Sequence, residues 1–306
     1  MTAISTGQAT VAKQGPKPRK MKLSKTNRYA GEGRNRSRWI VFVVLILLVV
    51  VYVYPFLNQI ANSFKTDAEA TQAGMSLLPT TWTTAAYQTL FTNSDFPLWF
   101  LNSLIVTVFV TVGRVLFNSM AGYALARLDF VGRKVLFALV VGVMSVPAVV
   151  LLIPKFLVIR ELGIYNTYFG LIIPLLVDAG GVFIMKNFFE SIPVAVEEAA
   201  HLDGAGTFRA FWSVVLPMAR PALITIIILS FQGSWNELSH FIVASNRPEL
   251  VNLTKGVAQL VGGGLGSGNQ YPLKLAAATL MTIPVAILFF AFQRRIMNTS
   301  AGAVKE

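Results

Sequence analysis

Glu197-Glu198-Ala199-Ala200-His201-Leu202-Asp203-Gly204-Ala205-Gly206-Thr207-Phe208-Arg209-Ala210-Phe211-Trp212-Ser213-Val214-Val215-Leu216-Pro217 is a polar, helix-forming stretch lodged among strongly apolar runs. A lipid-facing segment would not carry adjacent carboxylates, a histidine, an aspartate and an arginine. Pro193 suits the first turn of a helix, where its missing N–H would be unpaired anyway, and Ser191 ahead of it can cap that end. Val194, Glu198 and Leu202 then share one face, whereas Ala195, Ala199 and Ala200 leave a low-relief surface that another backbone can approach. Gly204 suits a left-handed cap, with Gly206 just beyond it. Thr207 offers an N-cap to a second helix, in which Phe208, Phe211, Trp212 and Val215 recur at i, i+3, i+4 and i+7 before Pro217 closes the unit. The pattern predicts helix, glycine turn, helix, with one polar, small-residue surface and one aromatic surface. By periodicity alone it reads equally as an interfacial helix pair with no partner.

The rest of the chain belongs to a membrane. Apolar residues make up 54% of 306 positions and charged residues 13%, and the mean hydropathy is +0.61, outside the soluble globular range. The net charge of +12 is no nucleic-acid signature, because ten Lys and Arg precede Trp39 against the single acid Glu32. That is a positive-inside tail, residues 1–38, of the composition expected of disorder. The chain has no cysteine, so neither a disulfide framework nor a thiolate metal site can form.

A helix crosses about 30 Å of hydrocarbon in roughly 20 residues. Runs near that length occupy 39–57, 96–120, 135–154, 168–186, 218–236 and 273–292. The first is too long for a signal-peptide core and lacks a small-x-small cleavage site, so it reads as an uncleaved anchor. Twenty of the 26 Lys and Arg fall on one face if Arg114 is counted near a helix end. Both termini and the 187–217 insert are therefore expected in the cytoplasm. The fold class is an all-α integral membrane domain, 39–298, of six transmembrane helices, followed by a tail at 299–306.

Two long loops, 61–95 and 237–272, fall outside. The second carries Gly262, Gly263, Gly264, Gly266 and Gly268, which give flexibility but no G-x-G-x-x-G, and no G-x-x-x-x-G-K-[ST] occurs anywhere in the chain. Nucleotide chemistry is expected on another subunit. His201 and His240 fall on opposite sides of the membrane, so no metal site joins them, and no catalytic constellation is apparent.

Ionisable and polar groups near the spans are candidate path residues. Asp178, beside Gly180 and Gly181, reads either as a contact in a water-lined cavity or as an ion-pair partner for a neighbouring span or subunit. Asn102, Gln232, Asn236 and Glu237 could hydrogen-bond the groups of a hydroxyl-rich ligand. Trp235 suits either the face of a ring-shaped ligand or the interfacial belt. Arg114, Arg127, Arg133 and Lys134 read as orientation determinants, and Pro147, Pro174 and Pro284 as kinks in spans three, four and six.

Glu198-Ala199-Ala200-x-x-x-Gly204 followed by Leu216-Pro217 resembles the EAA motif of bacterial ATP-binding-cassette (ABC) importer permeases. The fuller Glu-Glu-Ala-Ala-x-x-Asp-Gly-Ala with Leu-Pro-x-x-x-Pro resembles the carbohydrate-uptake, maltose-type branch. Asn102-Ser103, Tyr123-Ala124-Leu125-Ala126-Arg127, Phe130-x-Gly132-Arg133, Trp235-Asn236-Glu237 and Ala301-Gly302-Ala303-Val304-Lys305 are similar to that branch in the same order. The long basic tail, Asp178 and the terminal Glu306 depart from it.

The resemblance implies a type I ABC importer permease fold in a bacterial cell membrane and a non-enzymatic subunit carrying a sugar. It implies a coupling helix that docks on a cytoplasmic ATPase through Glu197, Glu198, Ala199, Ala200, Asp203, Gly204, Phe208, Phe211, Leu216 and Pro217. The implied partners are a second homologous permease, two ATPase subunits holding ATP and magnesium, an extracytoplasmic solute-binding protein reached by the glycine loop at 256–270, and lipid, with no nucleic acid. The tail from Ala301 resembles one that inserts between ATPase subunits. A glycerol phosphate or polyol permease, an ion-coupled secondary transporter and a membrane scaffold are the alternatives.

Overall fold

The computed structural model describes residues 32–72, 78–261 and 270–302. Among these every regular element is a helix. It divides into two units, Met1–Tyr54 and Pro55–Glu306. The described part of the first unit belongs to helix α1, Glu32–Ser63, whose side chains from Arg38 to Tyr54 are all exposed. A helix apolar on every side suits lipid or another membrane helix as its surroundings.

In the second unit the short helices α2 (Asp67–Gln72) and α3 (Ala85–Thr92) lead to α4, Phe96–Arg127. Pro97 suits the start of α4 because the first amides of a helix have no intrahelical acceptor. The helix runs on past Met120 to Arg127. Arg114 therefore lies mid-helix rather than near an end, and Tyr123 to Arg127 stand on the helix rather than in a loop.

The third apolar run is broken. Helices α5 (Arg133–Met144) and α6 (Leu152–Glu161) meet at 104° across Pro147 and the 3-10 turn Ala148–Leu151. The fourth run starts as α7, Tyr168–Ile172, tightens into a 3-10 turn at Ile173–Leu175 that contains Pro174, and resumes as α8, Ala179–Ser191. Both breaks follow from proline, which removes an amide donor and clashes with the preceding turn. The insert holds α9 (Val194–Leu202), α10 (Thr207–Ala210), a π turn at Phe211–Val215 and α11 (Leu216–Met218).

After Ala219 the chain turns by 81° into α12, Arg220–Trp235. Helices α13 (Ser239–Ala244) and α14 (Leu253–Val261) precede α15, Tyr271–Gly302, which stays continuous through Pro284. Four of the described helices are long and apolar enough to cross a membrane, and six spans result if each bent pair counts as one.

Helix α4 is the post on which the unit is built, packing most extensively on α8 and then on α12. The α4–α8 approach is set by Gly122: a Cβ there would lie 2.7 Å from the Met185 Cβ and 2.9 Å from the Lys186 amide nitrogen. Small residues permit such contacts between apolar helices, where packing rather than water exclusion drives association. Three buried clusters follow. One joins Tyr123, Met185, Phe189, Phe211, Val215 and Ile226 where the insert meets α4. Another gathers Phe96, Trp99, Trp235 and Leu253 at the opposite end. The third, with Val106, Val110, Ile159, Leu171 and Phe241, lies between the broken helices.

Gly122→Val is expected to cost about 1–3 kcal/mol through overpacking against backbone and to lower the thermal unfolding midpoint in detergent. Gly142→Ala, where an added Cβ meets nothing within 4 Å, should leave the midpoint unchanged or slightly raised. Equal midpoints for Gly122→Val and the parent would contradict the tight α4–α8 contact.

Candidate functional site

The insert forms the expected helix, glycine turn and helix. Gly204, at φ 82°, is left-handed. The Gly204 amide donates to the His201 carbonyl and the Ala205 amide to that of Ala200, at 3.0 and 2.9 Å, the paired bonds of a Schellman end. No atom within 4 Å would meet a Cβ on Gly204, so the demand for glycine is conformational rather than steric.

Four local expectations change. Pro193 is the N-cap and α9 starts at Val194. Ser191 donates to the Phe188 carbonyl and so belongs to the end of α8. Gly206 takes the N-cap of α10, leaving Thr207 as its first residue. Nor does Pro217 end the unit, because it lies within α11, and the break falls at Ala219. The π turn widens the helix and splits the aromatic stripe: Phe211 and Val215 are buried, while Phe208 and Trp212 are exposed.

The ten candidate coupling residues separate into two sets. Glu197, Ala200 and Phe211 turn inward. Tyr123 Oη donates to Glu197 Oε1, and Arg127 Nε stands 3.5 Å from Glu197 Oε2. Arg127 Nη2 also donates to the Phe189 carbonyl at 2.6 Å and to that of Ile192. The Tyr123 ring packs on Phe211 at 4.9 Å and edge-on to Phe189 at 5.9 Å. One buried cluster thus ties α9, the end of α8 and the π turn to the end of α4. Glu198, Ala199, Asp203, Gly204, Phe208 and Pro217 are exposed and Leu216 is half-buried. Leu202 at 89% and Phe208 at 68% exposure place two large apolar side chains beside two carboxylates on the outward surface, a composition suited to protein contact.

Deeper in the fold, Asp178 caps α8 by accepting the Gly181 amide at 2.7 Å. Its other oxygen accepts from Asn118 Nδ2 at 3.0 Å and lies 3.6 Å from Arg114 Nε. Arg114 also donates to the Leu175 carbonyl at 2.7 Å, inside the break between α7 and α8. The break leaves carbonyls and amides without helical partners, and this charged pair satisfies some of them. Of the two readings of Asp178, the geometry favours the ion pair between spans.

At the opposite end, the polar residues proposed to meet a sugar mostly fasten a loop. Asn102 is buried, donates to the carbonyls of Glu249 and Val251 and accepts from Tyr168 Oη. Ser103 Oγ accepts the Leu253 amide. Trp235 is fully buried and donates to the Met281 carbonyl at 3.0 Å, so it is neither exposed to a ligand nor in an interfacial belt. Glu237 accepts the His240 amide, and Lys255 Nζ donates to the Phe241 and Ser245 carbonyls. Burial lowers the Lys255 pKa. Gln232 and Asn236 remain exposed. Gly262, Gly263, Gly264, Gly266 and Gly268 lie outside the described residues, as do residues 1–31 and 303–306. No cluster of metal-ligating residues occurs among the described residues.

Tyr123, Arg127, Arg114 and Asn118 are the functional neighbours that charge counting missed. Arginines at 114 and 127 read from sequence as topology markers, and their aim toward the distant carboxylates of Asp178 and Glu197 is a tertiary fact.

The family described as binding-protein-dependent transport system inner membrane component matches residues 118–298. The arabinooligosaccharides transport system permease protein AraQ of Halalkalibacterium halodurans is 33% identical over 82% of this chain and 90% of its own length. The diacetylchitobiose uptake system permease protein NgcG of Streptomyces coelicolor is 33% identical, covering 82% of each chain. Among solved structures, a chain of a bacterial ABC transporter that imports the acidic polysaccharide alginate superposes with a TM-score of 0.76 at 28% identity. That match covers 88% of this chain and 99% of the other.

Arg127→Ala leaves the Glu197 carboxylate buried without its counter-ion. It is expected to cost about 3–5 kcal/mol and to open the insert to limited proteolysis near Gly204, whereas Glu198→Ala should change stability by no more than about 0.5 kcal/mol. A second prediction concerns pH. His240 is buried against the Gly170 and Leu171 carbonyls, and burial, with the Lys155 charge, pushes its pKa down from 6.5 to about 4. Its folded form binds a proton less readily than its unfolded form. The stability it contributes is complete above about pH 6.5 and is lost as pH falls through about 4. Melting curves from pH 7.5 to 4 should show a smaller loss in His240→Gln than in the parent.

Proposed function

The chain belongs to the binding-protein-dependent transport system inner membrane component family, and from that membership we propose that it is the permease subunit of an ABC importer for a sugar or oligosaccharide. It is a multi-pass membrane protein, and the relatives' bacterial sources support placing it in a bacterial inner or cytoplasmic membrane. Arabinooligosaccharides, diacetylchitobiose and alginate name the cargoes of the proteins it resembles, and they share carbohydrate chemistry. This family assignment leaves the ion-coupled and scaffold alternatives without support.

The single observation that carries the mechanism is the rigid insert. Its inner side is fixed to α4 through Arg127, Tyr123 and Glu197, and its outer side carries Glu198, Leu202, Asp203 and Phe208. We assign that outer surface to a cytoplasmic ATPase, on which ATP and magnesium are held. A floppy loop would absorb movement of such a partner, whereas a helix locked to a span transmits it as a rigid body. A second, homologous permease completes the pathway, and an extracytoplasmic binding protein delivers the solute. Gln232 and Asn236, exposed near the end of α12, are the polar side chains left to meet sugar hydroxyls, together with Glu237.

Reconstitution with the ATPase, the partner permease and the binding protein tests the coupling role. Gly204→Glu places a side chain on left-handed backbone and adds charge to the outer surface. Uptake and binding-protein-stimulated ATP hydrolysis should both fall about tenfold, within the roughly 0.5–2 kcal/mol by which such positions alter coupling. Undiminished uptake and hydrolysis would overturn the assignment.

A further inference from the structure

Away from the insert's outer surface, the end of α4, the turn after Leu128, the start of α5 and the last turns of α8 line a half-open recess of about 620 Å³. Arg133, Lys134 and Lys186 line it, with Asp129 and Glu190 as the acids and Phe130 and Phe137 as the aromatic wall. Two cations are already paired, Arg133 with Asp129 at 3.1 Å and Lys186 with Glu190 at 2.8 Å. Lys134 is in no ion pair among the described residues, so the lining carries a surplus positive charge.

Two of the cations are held in place. Arg133 donates to the Leu125 and Ala126 carbonyls at the end of α4. The Lys186 ammonium rests 4.1 Å from the centre of the Phe137 ring, which in turn stacks on Phe183. Fixed cations lose little freedom when an anion arrives.

The recess continues into an apolar surface. No residue of α5 is buried. Val135, Leu136, Leu139 and Val143, exposed by about half or more, lie within one face of that helix as it runs toward the bilayer interior. A soluble anion would use the charged recess and leave this face bare. A molecule with a phosphate at one end and hydrocarbon at the other fits both. The positive-inside count places this end at the cytoplasmic leaflet, where anionic lipid gathers around basic residues.

We propose that this recess binds the headgroup phosphate of an anionic phospholipid of the cytoplasmic leaflet, with Lys134 and Lys186 facing the phosphate and an acyl chain lying along α5. The site is distinct from the ATPase-docking surface, so it can stand or fall independently of the coupling role.

The full-length chain, extracted with its native partners in a mild detergent, can be examined by native mass spectrometry after exchange into phosphatidylglycerol or phosphatidylcholine. Retention of phosphatidylglycerol over phosphatidylcholine is expected, reduced about fivefold by Lys134→Gln or by Lys186→Gln. Lys134→Glu should abolish the preference without lowering the thermal midpoint, because Lys134 is exposed. Equal retention of the two lipids, an unchanged preference in Lys134→Glu, or displacement of the lipid by millimolar inorganic phosphate would overturn the proposal. So would shielding of Lys134 from amine labelling by a partner subunit in delipidated complex.

Discussion

A buried carboxylate and guanidinium, Glu197 and Arg127, join the insert to the end of α4. Taking either charge out of water is costly, and their mutual attraction offsets that cost only when every remaining donor and acceptor is also matched. Here most are: the Tyr123 hydroxyl meets the carboxylate, and the guanidinium also serves two carbonyls where α8 ends, while Arg127 Nε stands 3.5 Å from the carboxylate without a hydrogen bond of its own. Such a cluster tolerates one arrangement and resists intermediate ones. It makes α9, the end of α8 and the end of α4 a single mechanical piece.

The chain bends elsewhere. The 81° turn at Ala219 and the 104° bend around Pro147 lie where the i to i+4 ladder is interrupted. The break at Asp178 is tied down by Arg114 and Asn118. An importer needs rigid segments separated by defined joints, and this alternation supplies both. Glycines sit where two backbones touch, as at Gly122 against Met185 and Lys186, or where a side chain must pass, as at Gly181 beside Asn118.

Much of the insert was legible because its signals are local. Glycine at a left-handed cap and alternation of small, acidic and aromatic residues depend on neighbours within a turn or two, and Gly204 adopts the conformation the pattern requires. The outward Glu198 and the inward Glu197 were not separable by the same means, since adjacent carboxylates look alike until a partner helix selects one. Asn102 and Trp235 misled for a related reason. Polar and aromatic residues near a membrane surface suggest ligand contact, yet both hydrogen-bond backbone carbonyls from segments far along the chain.

By itself the sequence determined that the chain is an all-helical membrane protein with a polar helix-turn-helix between its fourth and fifth apolar runs. Those properties follow from hydrocarbon thickness, backbone hydrogen bonding and glycine stereochemistry, all of which act over a few residues. Only the tertiary structure decided which charges serve as internal fasteners, that the chain turns at Ala219 while the last span stays continuous through Pro284, and which side of the insert remains available to another protein. Charge pairing across 60 or 70 positions depends on the distance between helices in space, and that distance is set by packing of glycine and aromatic surfaces that no local pattern encodes.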